Sequence, residues 1–275
     1  MKTARLPASP AISKRLGKKN LNHISQMCVN VYNPMPTHYT LPSSTYYEHY
    51  LKVDLQKNVL GDQGHLNVII GVDTNQVTIC FSGTDDLEFW LYNTDTEVTL
   101  MKPNGVIYYV HQGFYELAVE ILAQLETFLH LDVLEKGREV VFCGHSAGGA
   151  AANLIALELV GKGVIKREKT TVVDFGCPRF WAANNKVPWP ISRFSFRNYY
   201  DIVPDVPFRW LTLFKRFKDT EREVVWLDPS GEVPPPSTFK RILNLLLSGT
   251  ENFPLSSQHS MKRYDSRILA FTGNQ

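Results

Sequence analysis

At 275 residues, 44% of them hydrophobic and 20% charged, the chain can bury a full core and has the makeup of an ordinary globular protein. Its formal charge of +2 excludes a wholly acidic or wholly basic protein, and no apolar run is long enough to span a bilayer. The charge is unevenly placed. No acidic residue precedes Glu48, while Lys2, Arg5, Lys14, Arg15, Lys18 and Lys19 crowd the N-terminal stretch.

Residues 1–19 are expected to form a solvated, flexible basic arm, with residues 20–275 as one domain. The competing reading of the arm is an electrostatic tether for an anionic membrane surface or nucleic acid. No apolar segment follows the early lysines, so no secretory signal and an intracellular location are expected. The cysteines agree with this expectation. Cys80, Cys143 and Cys177 fall in apolar strand patterns, where cysteine packs as a small hydrophobe, and their spacing matches no metal site.

Taken in order, Asn20 to Tyr32 carries a helical spacing (Leu21, Ile24, Met27, Cys28, Val31) and ends before Pro34. A proline-punctuated, Tyr-rich loop runs to about Ser44. Leu66 to Val72 and Val77 to Phe81, joined by Asp73-Thr74-Asn75-Gln76, read as a β-hairpin rich in β-branched residues. Leu87 to Tyr92 is a short amphipathic segment, expected to be a loop helix packed on the core. His111-Gln112-Gly113-Phe114 opens a helix to about Leu131, with Leu117, Ile121, Leu125 and Phe128 on one face.

Next comes the pattern on which the rest depends. Val140-Val141-Phe142-Cys143 is a buried strand that runs into Gly144-His145-Ser146-Ala147-Gly148, followed by a helix to about Val160. Strand, Gly-x-Ser-x-Gly and helix in that order are what a nucleophile elbow requires. Glycines on both sides of Ser146 let neighbouring backbone pass without a Cβ clash. The helix N-terminus at Ala147 points free N–H groups at the place where an oxyanion would develop. Two more strands follow, Thr171 to Phe175 and Arg193 to Tyr199. The alternation predicts an α/β fold with a mostly parallel central sheet and helices on both faces. Past Phe208 the chain turns basic and aromatic (Arg209, Trp210, Phe214 to Lys218), with a hairpin expected around Asp228 to Gly231 and an apolar helix over Phe239 to Leu247.

A serine nucleophile needs a base, and the base an orienting acid. With this elbow the partners follow in the order serine, acid, histidine. Only His259 lies beyond Ser146 among histidines not in the elbow itself; His145, beside the serine, should point away from it and serve packing or hydrogen bonding. For the acid, Asp174 lies inside a strand and Asp265 follows His259, while Asp219 and Asp228 sit near charged or turn positions. Asp201, just past a strand end, is the first choice and Asp205 the second.

These residues resemble the class 3 lipases, the fungal-type members of the α/β-hydrolase superfamily. The resemblance is carried, in family order, by Phe81-Ser82-Gly83-Thr84, His111-Gln112-Gly113-Phe114, Gly144 to Gly149, Phe175 to Arg179, Asp201-Ile202-Val203-Pro204 and His259. It implies an α/β-hydrolase-type sheet, a triad of Ser146, Asp201 and His259, and oxyanion donors at Thr84 and Ala147. It further implies a mobile lid over Asp85 to about Thr96, with Leu87, Trp90 and Leu91 as its apolar contacts. The chain departs from the family at Ser82, where an arginine is usual, and over residues 209–247, which have no counterpart. The signal peptide and disulfides of secreted members are also expected to be missing.

The function so implied is cleavage of acyl-lipid esters, as a triacylglycerol lipase or phospholipase A, without metal or other cofactor. The alternatives are a lipase-like interaction protein and an acyltransferase using the same triad. The implied partners are a lipid ester and, transiently, a membrane or lipid-droplet surface, with no specific nucleic acid. Oligomeric state is left open.

Overall fold

The computed structural model describes residues 16–32, 47–54, 65–84, 97–129, 137–207, 217–220, 223–227, 237 and 255–273. The expected lid residues Leu87, Trp90 and Leu91, the run 208–216, the turn at Asp228 to Gly231 and the helix over Phe239 to Leu247 lie outside them.

Among the described residues the framework is a seven-stranded sheet. Its first three strands, β1 (Tyr47–Asp54), β2 (His65–Val72) and β3 (Gln76–Phe81), are antiparallel. The expected hairpin is there, with Val72 opposite Val77. From β3 onward the sheet is parallel, through β6 (Glu139–His145), β7 (Thr170–Phe175), β9 (Ser192–Asn198) and β11 (Glu223–Leu227). A second, antiparallel sheet joins β10 (Phe217–Lys218), β8 (Trp181–Ala182), β5 (Tyr108–His111) and β4 (Val98–Met101).

Side-chain alternation on the central strands divides the core in two. Val77, Ile79 and Phe81 of β3, with Val140 and Phe142 of β6, face α2 (Gln112–Leu129) and α3 (Ala147–Gly161). Cys80, Val141, Cys143 and Val173 face the other way, toward α1 (Lys18–Asn30) and α5 (Met261–Thr272). Helices therefore cover both faces, as the sequence pattern predicts. A short helix, α4 (Leu255–His259), precedes α5 and ends on the histidine of interest. α1 is tied to α5 by Thr272 Oγ1–H donating to Asn22 Oδ1 at 2.7 Å and by Ser25 Oγ–H donating to Asp265.

β1, the four-strand sheet and the C-terminal helices α4 and α5 carry no signal in the sequence pattern. Residues 223–227, which the sequence leaves unassigned, form β11 and pair in parallel with β9. Cys177 lies beyond the end of β7 rather than within a strand.

Candidate active site

Three strand ends on the same edge of the sheet supply the site. β6 delivers Ser146 as the residue between strand and α3, with φ 56° and ψ −130°, a conformation that costs a side-chain-bearing residue energy. The turn is clamped by Ser146 N–H donating to Phe175 O at 3.0 Å and by Gly149 N–H donating to Ser146 O at 2.9 Å. The glycines earn their place by proximity. A Cβ on Gly144 would meet Gly148 O at 2.4 Å, and one on Gly148 would meet Ser82 O at 2.0 Å. Ala147, fully buried, is the first residue of α3, so its N–H is among those without an intrahelical acceptor.

β9 leads to Asp201, which is buried and fully engaged. Its Oδ1 accepts the Val203 N–H at 2.9 Å, and its Oδ2 accepts the Tyr264 O–H at 2.6 Å and lies 2.7 Å from His259 Nδ1. Tyr264 stays protonated: burial first, then the adjacent Asp201 carboxylate, push its pKa well above the usual phenol range. His259 sits at the end of α4, held through Gln258 O, which accepts from Asn198 Nδ2 at 3.1 Å. Gly176, at φ +59° just past β7, is the floor of this pair. A Cβ there would approach His259 Cε1 at 2.8 Å and Asp201 Oδ2 at 2.9 Å.

The remaining contact of a triad is not closed. Ser146 Oγ and His259 Nε2 are both buried and have no hydrogen-bond partner among the described residues. Such contacts are often long before substrate binds. Their neighbours do meet: the rings of His145 and His259 stand 4.4 Å apart, and His145 Nε2 lies 2.6 Å from His259 O. The imidazole of His145 is thus turned to hydrogen bonding. Burial, reinforced by the nearby His259, holds its pKa well below the usual histidine range.

The competing carboxylates are otherwise occupied. Asp174 is bound by Arg193 Nε at 2.6 Å, Ser195 Oγ at 2.7 Å and Asn153 Nδ2 at 3.0 Å. Asp205, the second choice for the acid, accepts from Arg179 Nη2 at 2.9 Å. Asp219 accepts from Arg197 Nη2 at 2.7 Å, and Asp265 from Ser25. None of these bonds reaches His259.

Thr84 lies at the carboxyl end of β3 and is half-buried. The loop before it is anchored without the family's arginine. Ser82 N–H donates to Asn67 O at 2.9 Å, and Asn67 N–H donates to Ser82 Oγ at 3.0 Å. On the next residue, Gly83 N–H donates to Tyr32 Oη at 2.7 Å.

Sequence reasoning missed Tyr32 and Tyr264, which touch the site from elements far away in the chain. No local motif marks either. Also missed was the convergence of Cys28 with Cys80 and Cys143, the one group of potential metal ligands among the described residues, with sulfur atoms within 4.8 Å of one another. All three are buried in the apolar layer between α1 and the sheet, where Cys80 Sγ–H donates to Cys28 Sγ at 3.4 Å, and burial pushes the Cys28 thiol well up. Thiolates there would lack compensating charge, so the cluster fits neutral thiols packed as small hydrophobes.

The switch from antiparallel to parallel strands, with helices on both faces of the sheet, gives an α/β-hydrolase-like fold. Residues 78–210, just under half of the chain, match the family Lipase (class 3). It is 33% identical over 120 residues to the Arabidopsis thaliana chloroplastic phospholipase A1 PLIP1, covering 42% of this chain and 18% of that protein. It is 31% identical over 104 residues to the toxin TseL of Vibrio cholerae, covering 38% of this chain and 15% of the toxin. The chain thus spans less than a fifth of the length of these curated relatives. In structure it is similar to the triacylglyceride lipase of Rhizomucor miehei, with a TM-score of 0.61 at 20% identity over 80% of this chain and 81% of that one.

Proposed function

We propose that the protein is a serine hydrolase of acyl-lipid esters, of the lipase or phospholipase A type. The observation that carries this reading is the buried carboxylate–imidazole pair, Asp201 on His259 at 2.7 Å, beside a serine held in a strained turn at the head of a helix. Residues 20–275 are read as one hydrolase unit.

In this reading His259 Nε2 takes the proton of Ser146 as Oγ attacks the ester carbonyl. Asp201 holds His259 in the tautomer with Nδ1 protonated and stabilises the imidazolium that forms. Negative charge on the carbonyl oxygen is met by the Ala147 N–H, aligned with the dipole of α3, and by Thr84 from the loop after β3. The imidazolium then protonates the leaving alcohol. Water, activated by the same nitrogen, releases the acyl group from Ser146. Every step is assigned to groups of this chain.

Substrate class is supported by the names of the relatives, a phospholipase A1 and a triacylglyceride lipase. Among the described residues no helix is long and apolar enough to cross a membrane. A transient surface contact is proposed instead, with Leu87, Trp90 and Leu91 as a lid whose apolar face becomes exposed when open and is accepted by lipid. The test is a panel of triacylglycerol, monoacylglycerol and phospholipid vesicles, with released fatty acid followed by mass. A short-chain ester is carried through its micelle threshold in parallel, with and without Trp90→Ala. Fatty acid release from at least one class supports the hydrolase. A rate that is smooth across the threshold and unchanged by Trp90→Ala rejects the lid alone.

A further inference from the structure

Tyr32 stands just beyond α1, in a part of the chain that the catalytic pattern never touches, yet its hydroxyl joins the site. Gly83 N–H donates to Tyr32 Oη at 2.7 Å, and Tyr32 Oη lies 2.6 Å from His145 Nδ1. On the far side of the ring, His145 Nε2 lies 2.6 Å from the carbonyl oxygen of His259.

The chemistry of these groups decides every role. A carbonyl oxygen only accepts, so His145 Nε2 carries a proton. Burial keeps the ring neutral, so it carries no second one. Nδ1 is then an acceptor, and the Tyr32 O–H donates to it. The hydroxyl oxygen in turn accepts the Gly83 N–H. One directed chain runs from Gly83 N–H through the Tyr32 hydroxyl and the His145 ring to His259 O.

This chain ties together the loop that ends in Thr84, the end of α1, the strand entering the serine turn and the helix that carries His259. Small errors of placement among such groups are costly, because oxyanion donors act only over hydrogen-bond distances. Gly83 lies flat against its partners. A Cβ on it would come within 2.5 Å of Tyr32 Oη and 2.9 Å of Ser146 Cβ. Gly83, the residue before Thr84, thus has its N–H held by Tyr32 and its Cα packed close to Ser146. α1 is a firm base for this, with Met27, Cys28 and Val31 buried against the sheet and its side chains bonded to α5.

We propose that Tyr32 is a positioning residue for acyl transfer. Through Gly83 it fixes the oxyanion loop against Ser146, and through His145 it couples that loop to the segment bearing His259. The proposal rests on the reading of Ser146 as the nucleophile.

The test uses the full chain with a p-nitrophenyl short-chain ester and an alkyl boronic acid, which forms a tetrahedral anion on an active serine. Tyr32→Phe keeps the ring edge against His145 but leaves Gly83 N–H and His145 Nδ1 without their partner. The expected result is a fall in kcat on the order of 10- to 100-fold, with KM within about twofold and boronate affinity falling alongside kcat/KM. Thr84→Ala should then cost less in the Tyr32→Phe background than alone, since both act through one loop. A kcat for Tyr32→Phe within about twofold of wild type, or costs that simply add with Thr84→Ala, overturns the proposal. If Tyr32→Phe does not fold, the same chain is cut at its other end. His145→Gln, which offers both a donor and an acceptor, should keep more of kcat than His145→Phe, and equal rates for the two overturn the proposal. Ser146→Ala runs alongside: if it retains full turnover, the nucleophile reading has failed, whereas an inactive Ser146→Ala with an unimpaired Tyr32→Phe removes only the role of Tyr32.

Discussion

Replacing Asp201 by Asn changes one oxygen for an NH2 group and leaves shape intact. The Val203 N–H fixes which atom goes where, because it donates to Oδ1 at 2.9 Å and would keep the amide oxygen on its side. The new NH2 then occupies the place of Oδ2, facing the Tyr264 O–H and His259 Nδ1–H, which donate to Oδ2 at 2.6 and 2.7 Å. Donors would meet a donor. The imidazole can relieve its part by moving its proton to Nε2 and accepting from the amide at Nδ1. That tautomer has no lone pair for Ser146. Loss of the base and of imidazolium stabilisation together should lower kcat by about 10³- to 10⁴-fold, equivalent to about 4–5 kcal/mol of transition-state stabilisation. The assay is kcat at saturating short-chain ester, with circular dichroism to verify the fold, for Asp201→Asn beside Asp205→Asn. Asp205 is held by Arg179 at 2.9 Å rather than by His259, so its amide variant should stay within about tenfold of wild type. An active Asp201→Asn beside a severely impaired Asp205→Asn would refute the reasoning and transfer the acid to Asp205.

Two further predictions concern stability. Arg193→Leu leaves the fully buried Asp174 carboxylate with only Ser195 and Asn153, and should cost about 3–5 kcal/mol in urea unfolding. A loss below about 1 kcal/mol would contradict the view that this pair secures β7 to β9. His111 is buried between Phe114 and Phe217, with neither ring nitrogen partnered among the described residues, and burial lowers its pKa from 6.5 to about 4. The unfolded chain therefore binds a proton that the folded one refuses. The stability this group contributes is complete above pH 6.5 and is lost as pH falls toward 4. Between pH 7 and 5 wild type should lose about 2 kcal/mol more than His111→Gln, and parallel curves for the two would exclude the effect.

Much of the fold was legible because it is local. The β2–β3 hairpin, α2 and the β6–turn–α3 unit each carry their own periodicity and turn chemistry within a short window. Ser146 and His259 could be named because motif and elimination each pointed to one position, whereas the strand end only ranked Asp201 ahead of Asp205. What remained hidden depends on distant pairing. β1 and the short strands of the second sheet are stabilised by partners the sequence does not advertise. Trp181 in β8, for example, faces Val110 in β5, 71 residues earlier in the chain. Tyr264 and Tyr32 were invisible for the same reason, since a tyrosine on an amphipathic helix, or just past one, looks like core until its hydroxyl is seen to find Asp201 or Gly83. The absent arginine at Ser82 showed that the loop needed some other anchor, but only the structure supplies Asn67 and Tyr32.

The role of Ser146 as nucleophile is tested most directly by covalent labelling with a fluorophosphonate probe, with ester turnover measured in the same preparations. Wild type should be labelled once, with the mass increment on the peptide containing Ser146, and should release fatty acid from lipid vesicles. Ser146→Ala, folded by circular dichroism, should lose both the label and several orders of magnitude in rate. A Ser146→Ala protein that still takes the label and turns over ester at near wild-type rate would contradict the assignment of the nucleophile.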